Sequence, residues 1–202
     1  MGQTLLGGGS PLNKFKAIDA HLSRNSRTVY VERSGDDIKG DGTAGRPFAS
    51  VERAFKEATG TTDLLAITLG DGEHHWDSER MHVFNVVVSI GGTGRLVVSG
   101  SLFGKAIRVE YGYLFINCAG VTSTAVVDEV IALGPHAFCY IAAPFECSNA
   151  KHVAGFHFDS SVLMLGSEIT NNDATPIPLW VAHNGSTPIV QKVSATLTRI
   201  TE

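Results

Sequence analysis

Short apolar stretches, separated by Gly, Asn, Asp, Ser and Thr, follow one another from Thr61 to the end of the chain. They are AITL at 66–69, VVVSI at 86–90, RLVVS at 95–99, AIRVEY at 106–111, YLFINC at 113–118, EVIAL at 129–133, AFCYIA at 137–142, GFHF at 155–158, VLMLG at 162–166, PLWVA at 178–182 and PIVQK at 188–192. Apolar residues recur at every second position in several of them, the signature of strands with one buried face. Val86, Val88 and Ile90 are expected inside, as are Leu96 and Val98, then Ile107, Val109 and Tyr111, then Leu114, Ile116 and Cys118. Ser89, Ser99, Arg108, Glu110 and Asn117 are expected outside.

The strands fall into pairs across short turns at Gly91 to Gly94, Gly112, Gly134-Pro135, Asp159 to Ser161 and His183 to Pro188. The pairs begin near residues 86, 106, 129, 155 and 178, at intervals of roughly 20 to 26 residues, the repeat length of a solenoid coil. A β-sandwich also contains short strands with frequent turns. Turns that are short within pairs and longer and irregular between them favour the solenoid. About five coils at ~4.8 Å each span roughly 25 Å. A coil buries its inner face only against its neighbours, so the ends need caps.

The stretch from Thr28 to Ala58 predicts the N-terminal cap. Val29 and Val31 alternate with Tyr30 and Glu32 as in a strand. Gly35, Gly40, Gly42 and Gly45, interleaved with Asp36, Asp37 and Asp41, form a turn-rich loop, and Pro47 breaks any preceding regular structure. Ser50 is placed to cap a helix over 50–59, with Val51, Ala54, Phe55 and Ala58 on one apolar face. About ten residues of helix do not hold themselves in water. This face is therefore expected to lie on the first coil, near Ile67 and Leu69.

The same stretch resembles the motif that precedes the coils of pectate-lyase-like right-handed parallel β-helices. The matching residues are Tyr30, Val31, Gly35, Asp37, Gly40, Asp41, Gly42, Thr43, Pro47, Phe48, Ser50, Val51 and Ala54, with Lys39-Gly40 where the family often has Asn-Asp. The resemblance covers about thirty residues and implies a fold more than a reaction. The fold it implies is all-β: a short right-handed parallel β-helix with an N-terminal capping helix. Proteins with this motif include bacteriophage tailspikes, virion fibres and surface polysaccharide lyases.

Residues 1–27 stand apart as an N-terminal arm. Leu5 and Leu6 precede the flexible joint Gly7-Gly8-Gly9-Ser10, and Pro11 opens a short helix carrying Leu12, Phe15, Ile18 and Leu22. Those six apolar residues are expected to dock on another protein. The chain thus divides into this arm, a lead-in strand, turn and capping helix at 28–60, coils at 61–192, and a C-terminal cap or inter-subunit strand at 193–202.

Composition narrows the function. The chain of 202 residues is 43% hydrophobic and 18% charged, with a net charge of −4 and no long basic run. Nucleic-acid binding through phosphate neutralisation is not expected. No apolar run is long enough to span a membrane, and MGQTLLGGGSP does not read as a signal peptide. Cys118, Cys139 and Cys147 are odd in number and read as buried apolar residues.

Among polar groups the densest cluster is Asp71, Glu73, His74 and His75. Adjacent histidines on an extended segment point to opposite sides, so a structural turn is preferred to a metal or acid–base site. Glycoside hydrolysis needs two carboxylates about 5 to 9.5 Å apart. The candidates are Glu110, Asp128, Glu129, Glu146, Asp159, Glu168 and Asp173, and their offsets along the coils bring no obvious pair together. The acidic loop Asp36 to Asp41 lacks EF-hand spacing and reads as a turn. Phe138, Tyr140, Phe145, Phe156, Phe158 and Trp180 read mostly as core.

No catalytic residue, metal or cofactor is therefore expected. The reading is a structural virion protein of a bacteriophage, a fibre, spike or tail component. It would be homotrimeric, held to other virion proteins by residues 1–27, and directed at a host surface polysaccharide. The alternatives are a polysaccharide lyase or hydrolase of the same fold and a non-viral carbohydrate-binding module.

Overall fold

A computed structural model of the chain describes residues 25–58, 62–157, 161–167, 169–172, 180–182 and 189–192. The expected docking residues Leu5, Leu6, Leu12, Phe15, Ile18 and Leu22, the segment 193–202, and Asp159, Glu168 and Asp173 lie outside the described residues.

The strands stack in three parallel sheets, so each turn of the chain visits all three in order. The first sheet runs β1 (Ser26–Val31), β2 (Leu64–Leu69), β5 (Val87–Gly92), β8 (Tyr113–Asn117), β11 (Phe138–Ile141), β14 (Val162–Leu165) and β17 (Ile189–Lys192). The second runs β3 (Glu73–Trp76), β6 (Arg95–Val98), β9 (Gly120–Ser123), β12 (Phe145–Cys147) and β15 (Ile169–Asn171). The third runs β4 (Met81–Phe84), β7 (Lys105–Glu110), β10 (Val127–Leu133), β13 (Ala150–Phe156) and β16 (Trp180–Ala182). The protein is a parallel β-solenoid, with four full turns between β2 and β14.

Register explains why this sequence stacks. Ile67, Ile90, Ile116, Ile141 and Leu165 stand in one inward line, and Leu65, Val88, Leu114, Cys139 and Leu163 in the next. In the second sheet Leu96, Val121, Phe145 and Ile169 do the same. Like residues stack on like residues through the interior, and each buried aliphatic side chain contributes about 1.5–3 kcal/mol. The paired strands of the sequence reading are successive sides of one coil. The third side is where that reading fell short: β3, β9, β12 and β15 are three or four residues long and carry few apolar residues.

The first sheet's outward positions also run in register. Leu64, Val87, Tyr113, Phe138 and Val162 form one line; Ala66, Ser89, Phe115, Tyr140 and Met164 form a second. Thr68, Gly91 and Asn117 begin a third. Phe138 and Tyr140, read as core residues, are thus outward, whereas Phe145 and Phe156 are fully buried.

The lead-in segment is part of the solenoid itself. β1 pairs with β2 over six residues and is the first strand of the first sheet. The helix α1 (Val51–Phe55) is half the expected length. After Lys56 the backbone tightens, with Glu57 and Ala58 donating to the carbonyls of Ala54 and Phe55, and the sequence turns to Thr59-Gly60-Thr61, poor helix formers. Val51 and Ala54 are fully buried, while Phe55 and Ala58 are partly buried against the core. The Phe55 ring meets Trp76 edge-on at 5.1 Å, and Glu52 accepts a bond from the Asp77 backbone at 2.8 Å. The helix therefore lies against β1, β2 and β3, on the first coil as expected, at the end of the second sheet where, among the described residues, no strand lies beneath β3.

Candidate functional site

The third sheet collects the polar chemistry. Its strands bend at one level: Ala106 and Ile107, Val130 and Ile131, and Val153 and Ala154 are consecutive pairs that are both buried. The bend interrupts strict alternation and brings Glu129 over the Gly155 backbone. A Cβ at Gly155 would fall 2.2 Å from the Glu129 Cδ. Glu129 is 2% exposed, and its Oε2 lies 2.7 Å from His157 Nε2.

One coil earlier Glu110 sits in a similar setting. Its Oε2 lies 2.8 Å from His82 Nε2, and its Oε1 accepts from the Arg108 guanidinium at 2.5 Å. A Cβ at Gly134 would come within 2.5 Å of the Glu110 Cγ. The Arg108 bond holds the Glu110 carboxyl below its ordinary value, burial works against this, and His82 adds to the lowering. Arg80 stands close enough to feel the charges of Arg108, Glu110 and Glu79, and burial lowers its pKa. The offsets along the chain had suggested no carboxylate pair. Register agrees: Glu129 stands opposite Lys105, whereas Glu110 lies one residue beyond Val109, the partner of Leu133, so the two glutamates are not register partners.

Aromatic rings border this face at the corner leading to the first sheet. Phe84 meets Tyr111 at 6.0 Å, Tyr111 meets His136 at 5.9 Å, and His82 meets Phe84 at 5.9 Å. Tyr111, expected inside, is 50% exposed, and Phe84 is 57% exposed. Asn85, Tyr111 and His136 hold positive φ of 52°, 50° and 48° at the same corner of three successive coils. Such strain costs about 1–3 kcal/mol per residue and persists where the surroundings enforce it. Here the Asn85 and Tyr111 amides donate to the carbonyls of Glu110 and Pro135.

The other sequence candidates are dispersed. His74 is buried with Nε2 on the Gly70 carbonyl at 2.8 Å, whereas His75 faces out, 3.9 Å from Glu73 and 3.8 Å from Asp77. Asp71 accepts from the Thr93 hydroxyl at 2.5 Å. Asp128 pairs with Lys151 at 2.7 Å and Glu146 with Arg95 at 3.0 Å. Asp36 accepts from the amides of Ile38 and Lys39, and Asp41 from Thr43. Among the described residues no three His, Cys, Asp or Glu side chains converge as a metal site. Cys118, Cys139 and Cys147 are buried and form no disulfide.

Chemically, the face offers the partly exposed Glu110 carboxylate, held by His82 and Arg108, and a row of exposed rings, while the buried Glu129 braces His157 from within. Fixed carboxylates accept sugar hydroxyl hydrogen bonds, and rings stack on pyranose faces. A general acid requires a raised carboxyl pKa, and Glu110 is displaced the opposite way. The fold and face together define a parallel β-solenoid with a charged and aromatic lateral surface. No protein-family model matches the chain, and no curated protein and no solved structure matches it either.

Proposed function

We propose that this chain is a structural virion protein of a bacteriophage, a homotrimeric fibre, spike or tail component. In this reading the outer face of β4, β7, β10 and β13 binds a host surface polysaccharide. The observation that carries the binding role is the fixed pair Glu110–His82 beside the exposed rings of Phe84 and Tyr111. The resemblance of residues 28–58 to the motif preceding tailspike and fibre coils supports the virion setting.

The test is incubation of the purified chain with host capsule or lipopolysaccharide, following both binding and new reducing ends. Binding without cleavage, lost in Phe84→Ala/Tyr111→Ala, is expected. Absence of binding to any host glycan overturns the attachment role. Deletion of residues 1–27 is expected to abolish incorporation into particles, and unchanged incorporation removes the arm. New reducing ends would overturn binding without cleavage and point to hydrolysis instead.

A further inference from the structure

The three sides of the solenoid differ sharply in charge. The outer face of the third sheet carries Arg108 and Glu110, and that of the second carries Glu73, Arg95 and Glu146. The first sheet's three outward register lines, from β1 to β17, contain no charged residue at any strand position. Seven strands wide, this side bears the partly buried rings of Phe115, Phe138 and Tyr140, with Tyr113 at 37% exposure.

We infer that this uncharged side is an interface between copies of the chain. The inference deepens the oligomeric reading above by naming the face that sister copies share. A charged partner surface would lose hydration here and gain no opposite charge. The same uncharged face of another copy meets that requirement, and copies that turn this face toward a common rotation axis bury it against one another. Seven strands at ~4.8 Å, each presenting about 17 Å of length, give roughly 550 Å² per copy. Two such faces approach 1,100 Å², at the threshold of about 1,000 Å² for a specific interface. The small residues Ala66, Ser89 and Gly91 beside the rings of Phe115 and Tyr140 provide relief into which rings of a second copy fit.

The full chain is measured by size-exclusion chromatography with light scattering at tens of micromolar. An oligomeric wild-type mass is expected, falling to the monomer in Ser89→Lys and Ala66→Glu, while His75→Lys on the second sheet leaves it unchanged. A monomeric wild type overturns the inference, and the face then belongs to a segment of the chain itself or to a different protein. A Ser89→Lys or Ala66→Glu variant that melts like wild type and stays oligomeric also overturns it. Should both charged variants fail to fold, Ser89→Cys decides. Its thiol is expected to react at least tenfold more slowly with a bulky maleimide in the concentrated protein than on dilution to monomer, and equal rates overturn the interface. A monomer that still binds polysaccharide removes this interface alone; an oligomer that binds none removes the attachment reading instead.

Discussion

Asp37 and Ser50 are joined by two hydrogen bonds. Asp37 Oδ1 accepts from the Ser50 amide at 3.0 Å and Oδ2 accepts from the Ser50 hydroxyl at 2.5 Å. Asp37 Oδ1 also takes the Ala49 amide at 2.7 Å, and the Ser50 hydroxyl oxygen in turn accepts from the Arg53 amide at 3.1 Å. The acidic loop is therefore a clamp on the helix N-terminus, which explains why an aspartate and a serine stand there. Asp37→Ala strands two amides and releases the cap. A loss of about 1–3 kcal/mol is expected, or roughly 2–4 °C of Tm per kcal/mol, read by thermal melting. Asp36→Ala, which frees only exposed turn amides, is expected to cost less.

The helix is held at its other end by Phe55 against Trp76. A double-mutant cycle of Phe55→Ala and Trp76→Ala should return a coupling of about 0.5–1.5 kcal/mol. Phe55→Asp places a charge against the core and should prevent soluble folding. A variant of normal solubility and stability removes the capping role of this face.

How much of this was legible in the sequence depends on what each residue had to announce. The strands β5, β7, β8 and β11 were legible because their inward residues are aliphatic and alternate. β9 and β12 were not, because they are short and their inward line includes Ser123 and Cys147. The pairing of Glu129 with His157 was hidden for a different reason. It joins residues a coil apart, and it depends on a bend that is visible only as consecutive buried residues in three strands. Conversely, the divergence of His74 and His75 followed from strand geometry alone.

Glu110 makes stability depend on acidity with a definite sign. Its folded pKa lies below the ordinary value of 4.5, chiefly through the Arg108 bond. A depressed carboxyl stabilises the fold fully above its unfolded pKa, and that contribution disappears as pH falls through the folded pKa. Wild-type Tm should therefore drop between about pH 5 and about pH 3 more steeply than that of Glu110→Gln. Parallel curves would show that Glu110 is not held by Arg108 and His82.

Burial raises the Cys139 thiol to about 12. The thiolate is the reactive form, so this cysteine should be inert to a disulfide reagent at pH 8 while the chain is folded. Unfolding in guanidinium should expose all three cysteines to reaction within minutes. Rapid native labelling at Cys139, located by mass spectrometry, would place a solvent path through the core.

The inward isoleucine line sets the last expectation. Ile116 is fully buried between Ile90 and Ile141, so a shortened side chain there leaves a gap bordered by stacked residues on both sides. These neighbours are fixed by parallel ladders and have little freedom to collapse into the space. Ile116→Ala should cost about 2–5 kcal/mol and Ile116→Val about 0.5–1.5 kcal/mol. Because each coil is buried only by its neighbours, a defect in the middle uncouples the two ends. Guanidinium unfolding of Ile116→Ala in a Trp180→Phe background, followed by the fluorescence of Trp76 near the N-terminal cap and by circular dichroism over the whole chain, should separate into non-coincident transitions. Coincident transitions would mean that the coils unfold as one unit even with the stack broken.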